Sequence, residues 1–119
     1  MTKVMTELPG IDRIRKRFLE MLSERQTQIA SHGLAAWDGK TVEEINSNLA
    51  GAQAILHQIA GSAGSLGFEE LGQAARGCEM RIVDHLAGPD ADLAICPVEL
   101  ISSLDSFVAA CRKQIEAAA

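Results

Sequence analysis

The chain has 119 residues, enough for one domain with a substantial core and too few for a second. A formal charge of −5 disfavours a nucleic-acid partner, because phosphate binding is carried by Lys and Arg, and 47% hydrophobic residues with only 3% aromatics suit a helical bundle filled with Leu, Ile, Val and Ala. The three cysteines, Cys78, Cys96 and Cys111, form neither a close pair nor a metal-ligand spacing, so packing cysteines in a reducing cytoplasm are expected, without disulfide or metal.

The opening MTKVMTELPG has no apolar stretch long enough for a signal peptide, and Pro9-Gly10 closes it off. From Ile11 onward, Ile14, Phe18, Met21, Leu22 and Ile29 keep a helical period, which predicts a first helix to about Ala30, with Ser31-His32-Gly33 as its end or a kink. Arg13, Arg15, Lys16 and Arg17 near its start could form a patch for an anionic partner. The spacings Asp12 to Lys16 and Arg17 to Glu20 favour instead a solvated face with weak ion pairs. Leu34 to Trp37 is a short apolar patch before the Asp38-Gly39 turn, and the single Trp is expected to cover one end of the core.

Thr41 followed by Glu44 has the form of a capping box and starts a second helix near Val42. On that helix Leu49, Ala52, Leu56, Ile59, Ala63 and Leu66 recur at spacings of three and four, a core seam that Ile55 and Ser62 widen. Ile45 to Phe68 carries no charge. Its Asn, Gln, Ser and His residues argue against a membrane span. His57 points roughly 140° from the seam's centre on a helical wheel, among Ala50, Gln53, Ala54, Ala60, Gly61 and Gly64. A solvated face normally carries Lys, Glu and Arg, and each helical Gly costs on the order of 1 kcal/mol relative to Ala. A bare face around a histidine therefore suggests close approach by another protein's backbone. The competing interpretation is an ordinary surface histidine beside glycines that serve tight packing against a neighbouring helix.

Gly67 ends the second helix. Glu69 and Glu70 suit the N-terminus of a third, whose apolar stripe is Leu71, Ala75, Cys78, Ile82 and Leu86, and Gly88-Pro89 stops it. A loop through Asp90 and Asp92 leads to Pro97, expected as the first residue of a fourth helix with Ile101, Leu104, Val108, Cys111 and Ile115 inward. Ala117 to Ala119 are expected to fray. Four amphipathic helices with short connections predict an all-α antiparallel four-helix bundle, a single domain over 1–119 with the bundle at about 11–116 after a short N-terminal segment. His85 beside Asp84 and His32 before Gly33 suit helix ends, and no Glu-x-x-His pair or His/Cys cluster supports a metal-binding bundle.

The run His57 to Gly67, HQIAGSAGSLG, resembles the motif of histidine-containing phosphotransfer domains, through His57, Gly61, Ala63 and the Leu66-Gly67 pair. Most members have a lysine where this chain has Ala60. The resemblance implies a phosphocarrier rather than a self-sufficient enzyme, with His57 relaying a phosphoryl group between receiver-domain aspartates in a multistep phosphorelay. A neutral imidazole, with a reference pKa of about 6.5, is a competent nucleophile near neutral pH. Gln53, Ala54, Ala60, Gly61 and Gly64 would support the phosphoryl group and docking, and Arg76 on the third helix would lend the cation missing at position 60. Expected partners are response-regulator receiver domains and a hybrid histidine kinase, with no nucleic acid and no membrane, around a monomer. No cofactor is expected in this chain; Mg²⁺ would belong to the receiver. The alternative function is a helical adaptor that docks on receivers or kinases without being phosphorylated.

Overall fold

A computed structural model describes residues 10–118; the polar opening segment and Ala119 lie outside the described residues. Among the described residues four helices form: α1 (Ile11–Asp38), α2 (Val42–Ala63), α3 (Glu69–Ala87) and α4 (Val98–Ala118). One-turn 3₁₀ segments follow α2 (Gly64–Leu66) and α3 (Pro89–Asp92), and no strand occurs among the described residues. Successive helices run antiparallel, and contacts join α1 to α2, α2 to α3, α3 to α4 and α4 back to α1. This closed ring is the four-helix bundle that the amphipathic periods predict.

The core lies on the predicted stripes, except that Ile14 and Met21 of α1 are exposed and Leu86, Ile101 and Ile115 are only partly buried. Leu22, Ile29, Ile45, Leu49, Leu56, Ile59, Ile82 and Cys111 are its largest fully buried side chains. Burying each Leu or Ile contributes roughly 1.5–3 kcal/mol, so the α2 seam, and no single polar contact, sets which way His57 faces. Leu66, Ile55 and Ser62, at the edges of that seam, are only partly buried.

Local signals placed most boundaries. The Thr41 hydroxyl accepts the Glu44 N–H at 3.1 Å and donates to Glu44 Oε1 at 3.1 Å, closing the predicted box at the start of α2. At the other end Gly67 takes φ 92°, the left-handed region that Gly occupies without a Cβ penalty, and the Phe68 N–H bonds the Ala63 carbonyl at 2.9 Å. Pro97 stands one residue before α4 rather than inside it, and its carbonyl accepts the N–H groups of Leu100 and Ile101. The α-helical state continues through Ala117 and Ala118, where fraying was expected.

Four expectations for α1 are corrected. The helix does not end near Ala30 but runs to Asp38, because Gln26, Ile29, Gly33 and Ala36 carry the buried stripe onward at spacings of three and four. Tertiary burial outweighs the weak helix propensity of Ser31-His32-Gly33. His32 is accordingly not at a helix end: its Nδ1 lies 3.0 Å from Asn48 Oδ1, and its ring covers Gly51, where any side chain would meet it at 2.6 Å. Arg15 does more than solvate a surface. Its Nε donates to the Leu66 carbonyl at 2.9 Å, placing a cation at the C-terminal end of the α2 extension, and its ion pair is with Asp12 at 3.8 Å. Trp37, expected over the core's end, is instead 51% exposed.

All three cysteines are free thiols, with Cys78 and Cys111 buried. Burial raises the pKa of each, that of Cys111 to about 12; at Cys78 a hydrogen bond from Ser103 and the charge of Arg81 partly oppose the effect. Because the thiolate is the nucleophile, iodoacetamide at pH 8 should modify half-buried Cys96 first and leave Cys78 and Cys111 unreacted until the bundle unfolds. Mass mapping of the adducts checks this.

Candidate functional site

Leu56 and Ile59 fill the core, and His57 between them is turned out of it. One step of about 100° from Leu56 carries it toward the rim facing α3, where its side chain is 75% exposed. On α3, Glu79 follows buried Cys78 in the same way and faces α2. The two helices run close enough for short side chains to meet because Gly72 packs against them: a Cβ there would lie 3.3 Å from the Gly64 nitrogen and 3.4 Å from the Ala63 Cβ.

His57 Nδ1 lies 2.8 Å from Glu79 Oε2, and Gln53 Nε2 donates to that same oxygen at 2.8 Å. Glu79 is only 8% exposed, one of two buried polar residues in the described chain. A carboxylate accepts and does not donate, so its partner nitrogen must carry the hydrogen. In the neutral ring Nδ1–H therefore points at Glu79, and the lone pair is left on Nε2. The arrangement is a histidine–carboxylate pair that presents one nitrogen to solvent. The hydrogen bonds also fix the imidazole's orientation, with Gln53 holding the carboxylate from the preceding turn of α2.

The surroundings are as bare as the residue types imply. A Cβ added at Gly61 or Gly64 would meet nothing within 4 Å, so neither glycine serves packing against a neighbouring helix; that role belongs to Gly72. Ala54 is exposed beside His57, while Ala60 is half-buried against the core. On α3, Met80 and Val83 remain exposed and extend the apolar surface beyond Glu79. Arg76 lies one turn before Glu79 on α3 and is exposed; among the described residues it has no hydrogen bond or ion pair with His57. The group that reaches His57 from α3 is an acid.

Glu79 was the residue missed from sequence. Its signal was present: it stands four residues after Ala75 and three before Ile82, a carboxylate on an otherwise apolar stripe. The other histidines offer no comparable nitrogen. His85 Nε2 is enclosed and lacks a hydrogen-bond partner, and the C-terminal bond of α3 is made by backbone, from Gly88 N–H to the His85 carbonyl at 3.1 Å. Among the described residues no group of three or more His, Cys, Asp or Glu stands where it could hold a metal ion, and no helix is long and apolar enough to cross a membrane.

A family model described as the Hpt domain matches residues 13–118, which takes in all of α2, α3 and α4 and most of α1. No curated protein and no solved structure matches the chain.

Proposed function

The chain belongs to the Hpt domain family, and from that premise we propose that His57 is the phosphorylated residue, taking a phosphoryl group from one receiver-domain aspartate and passing it to another. The observation that carries the proposal is the 2.8 Å bond from Nδ1 to Glu79, which leaves Nε2 as the free, outward nucleophile on an uncharged face. In the transfer the Nε2 lone pair attacks phosphorus in line. The bond from phosphorus to the aspartyl oxygen breaks, and its electron pair leaves on the receiver's carboxylate. Nδ1 keeps its hydrogen, so positive charge develops on the ring and is met by the Glu79 carboxylate. The reverse sequence returns the group to a second receiver.

Mg²⁺ would come with the receiver. The residues around His57 do not fit it: Glu79 Oε2 already accepts two hydrogen bonds, and neighbouring Gln53, Ala54, Ala60, Gly61 and Gly64 bring no second carboxylate. The contribution of this chain is thus a positioned nucleophile and a surface that tolerates close approach. Incubation with a phosphorylated receiver should place an acid-labile, base-stable phosphoryl group on the chain, and a second receiver should remove it. Docking without any label would favour the adaptor function instead.

Gly61→Arg separates docking from folding. Nothing obstructs a side chain at Gly61, and Arg is a better helix former than Gly by up to about 0.8 kcal/mol. The variant should melt no lower than wild type yet transfer phosphate about tenfold more slowly, because a long cation stands where the receiver must approach. A wild-type rate would show that the bare face is not the docking surface.

Arg76 is proposed to support the phosphoryl group in place of the lysine usual at position 60. An exposed charge interaction is worth up to about 1 kcal/mol, so Arg76→Ala should slow transfer, or shorten the life of the phosphorylated form, by no more than about fivefold. Ala60→Lys in that background should recover part of the loss. Equal rates in wild type and Arg76→Ala would assign all cationic help to the receiver.

A further inference from the structure

The face opposite His57 carries a second feature, independent of phosphotransfer. Between α1 and α4 runs an open groove of about 300 Å³, lined by Leu34, Trp37, Val98, Ile101, Asp105 and Arg112 among others. Its walls are exposed apolar side chains, Leu34 at 63%, Trp37 at 51% and Val98 at 60%. From Val98 to Arg112 the α4 wall spans about 21 Å at 1.5 Å per residue, roughly four turns of helix. Apolar residues along two parallel ridges are the form in which an amphipathic helix is received.

The groove is also electrically polar along its length. At the Trp37 end of the bundle stand the exposed carboxylates of Asp38, of Asp90 and Asp92 in the 3₁₀ turn and, on the α3 side of α4, of Glu99, against one exposed cation, Lys40; Asp105 lies midway along the α4 wall. At the other end is Arg112, whose Nε is held by Gln26 Oε1 at 3.3 Å. A helix lying in the groove with its N-terminus toward Trp37 sets its own positive dipole end, and any lysines there, against the carboxylates, and its C-terminal end against Arg112. A second copy of this chain is a poorer occupant, because it would bring its own −5 charge and the same acidic end. We propose that the α1–α4 groove docks an amphipathic helix of another protein, apolar on one face and basic in its N-terminal half, leaving His57 open on the opposite side.

The single Trp of the chain reports on this directly. The probe is a synthetic helical peptide of roughly 18 residues, about five turns, with Leu at spacings of three and four, Lys in the first half and Glu in the second. Its control has the same composition with Glu first and Lys second. The Lys-first peptide should give a saturable blue shift of Trp37 emission and bind at least about tenfold more tightly than the control, a difference of about 1.4 kcal/mol. Leu34→Asp and Val98→Asp, both at exposed positions, should each remove the shift without lowering the melting temperature. Phosphotransfer to His57 should proceed at the wild-type rate with the peptide bound. Equal affinity for both peptides, no shift, or inhibition of transfer by the peptide would overturn the proposal. So would a blue shift that grows with protein concentration alone and tracks a doubled mass in sedimentation, which would make a second copy the occupant.

Discussion

His57→Gln is expected to leave the chain entirely unlabelled after incubation with a phosphorylated receiver, while His32→Gln and His85→Gln take up label. The difference follows from where each imidazole presents its nitrogens. His57 holds Nδ1 on Glu79 and turns Nε2 to solvent from a ring that is 75% exposed. The His32 ring is pressed over the Gly51 backbone, and His85 Nε2 is enclosed. Gln cannot form the phosphoramidate bond that imidazole forms, so the predicted loss is complete rather than partial. The fold should not be involved, since substitutions at exposed positions usually change stability by no more than about 0.5 kcal/mol. Label that persists in His57→Gln, with an unchanged melting curve, would move the phosphorylated residue elsewhere.

Glu79→Ala is expected to lower the transfer rate roughly 10–100-fold, by analogy with the range seen when the hydrogen-bond partner that orients a metal-ligating histidine is removed. Two effects combine. Without the carboxylate the imidazole can rotate, and it can place its hydrogen on Nε2, which removes the lone pair from the attacking position. The charge that develops on the ring during attack also loses its counterion. Glu79→Gln distinguishes these effects, because an amide oxygen still accepts from Nδ1–H but carries no charge. It should recover part of the rate, and Gln53→Ala, which frees only the carboxylate's second partner, should cost less than either. A purely structural role for Glu79 predicts otherwise: rate would follow melting temperature across the three variants, with no rescue by Gln. A wild-type rate in Glu79→Ala would remove Glu79 from the transfer step altogether.

Much of the fold was legible because its signals are local. The α2 seam follows from a spacing of threes and fours alone, the Thr41 box from two residues three apart, and the end of the α2 extension from a glycine that accepts positive φ. The outward angle of His57 and the emptiness around Gly61 and Gly64 come from the same helical geometry, so that half of the site could be placed before any neighbour was known. The end of α1 was misjudged for the opposite reason. Ser31, His32 and Gly33 are weak helix formers in isolation, and what carries the helix past them is burial against α2 and α4, supplied by residues distant in sequence.

By itself, then, the order of residues determined four helices, their inward faces, the bundle and the exposed histidine, because each rests on periodicity or on a cap within one element. The tertiary structure decided which partners cross between elements: Glu79 from α3 onto His57, Arg15 from α1 onto the Leu66 carbonyl, His32 over Gly51, and Trp37 with Val98 at an open groove. A helical wheel fixes the angle of a side chain about its own axis. It does not fix the rotation and offset of one helix against the next, and a shift of one turn, about 5.4 Å, would exchange Glu79 for Arg76 or Val83 as the group nearest His57. That a carboxylate meets the His57 ring across the α2–α3 seam is set by that offset.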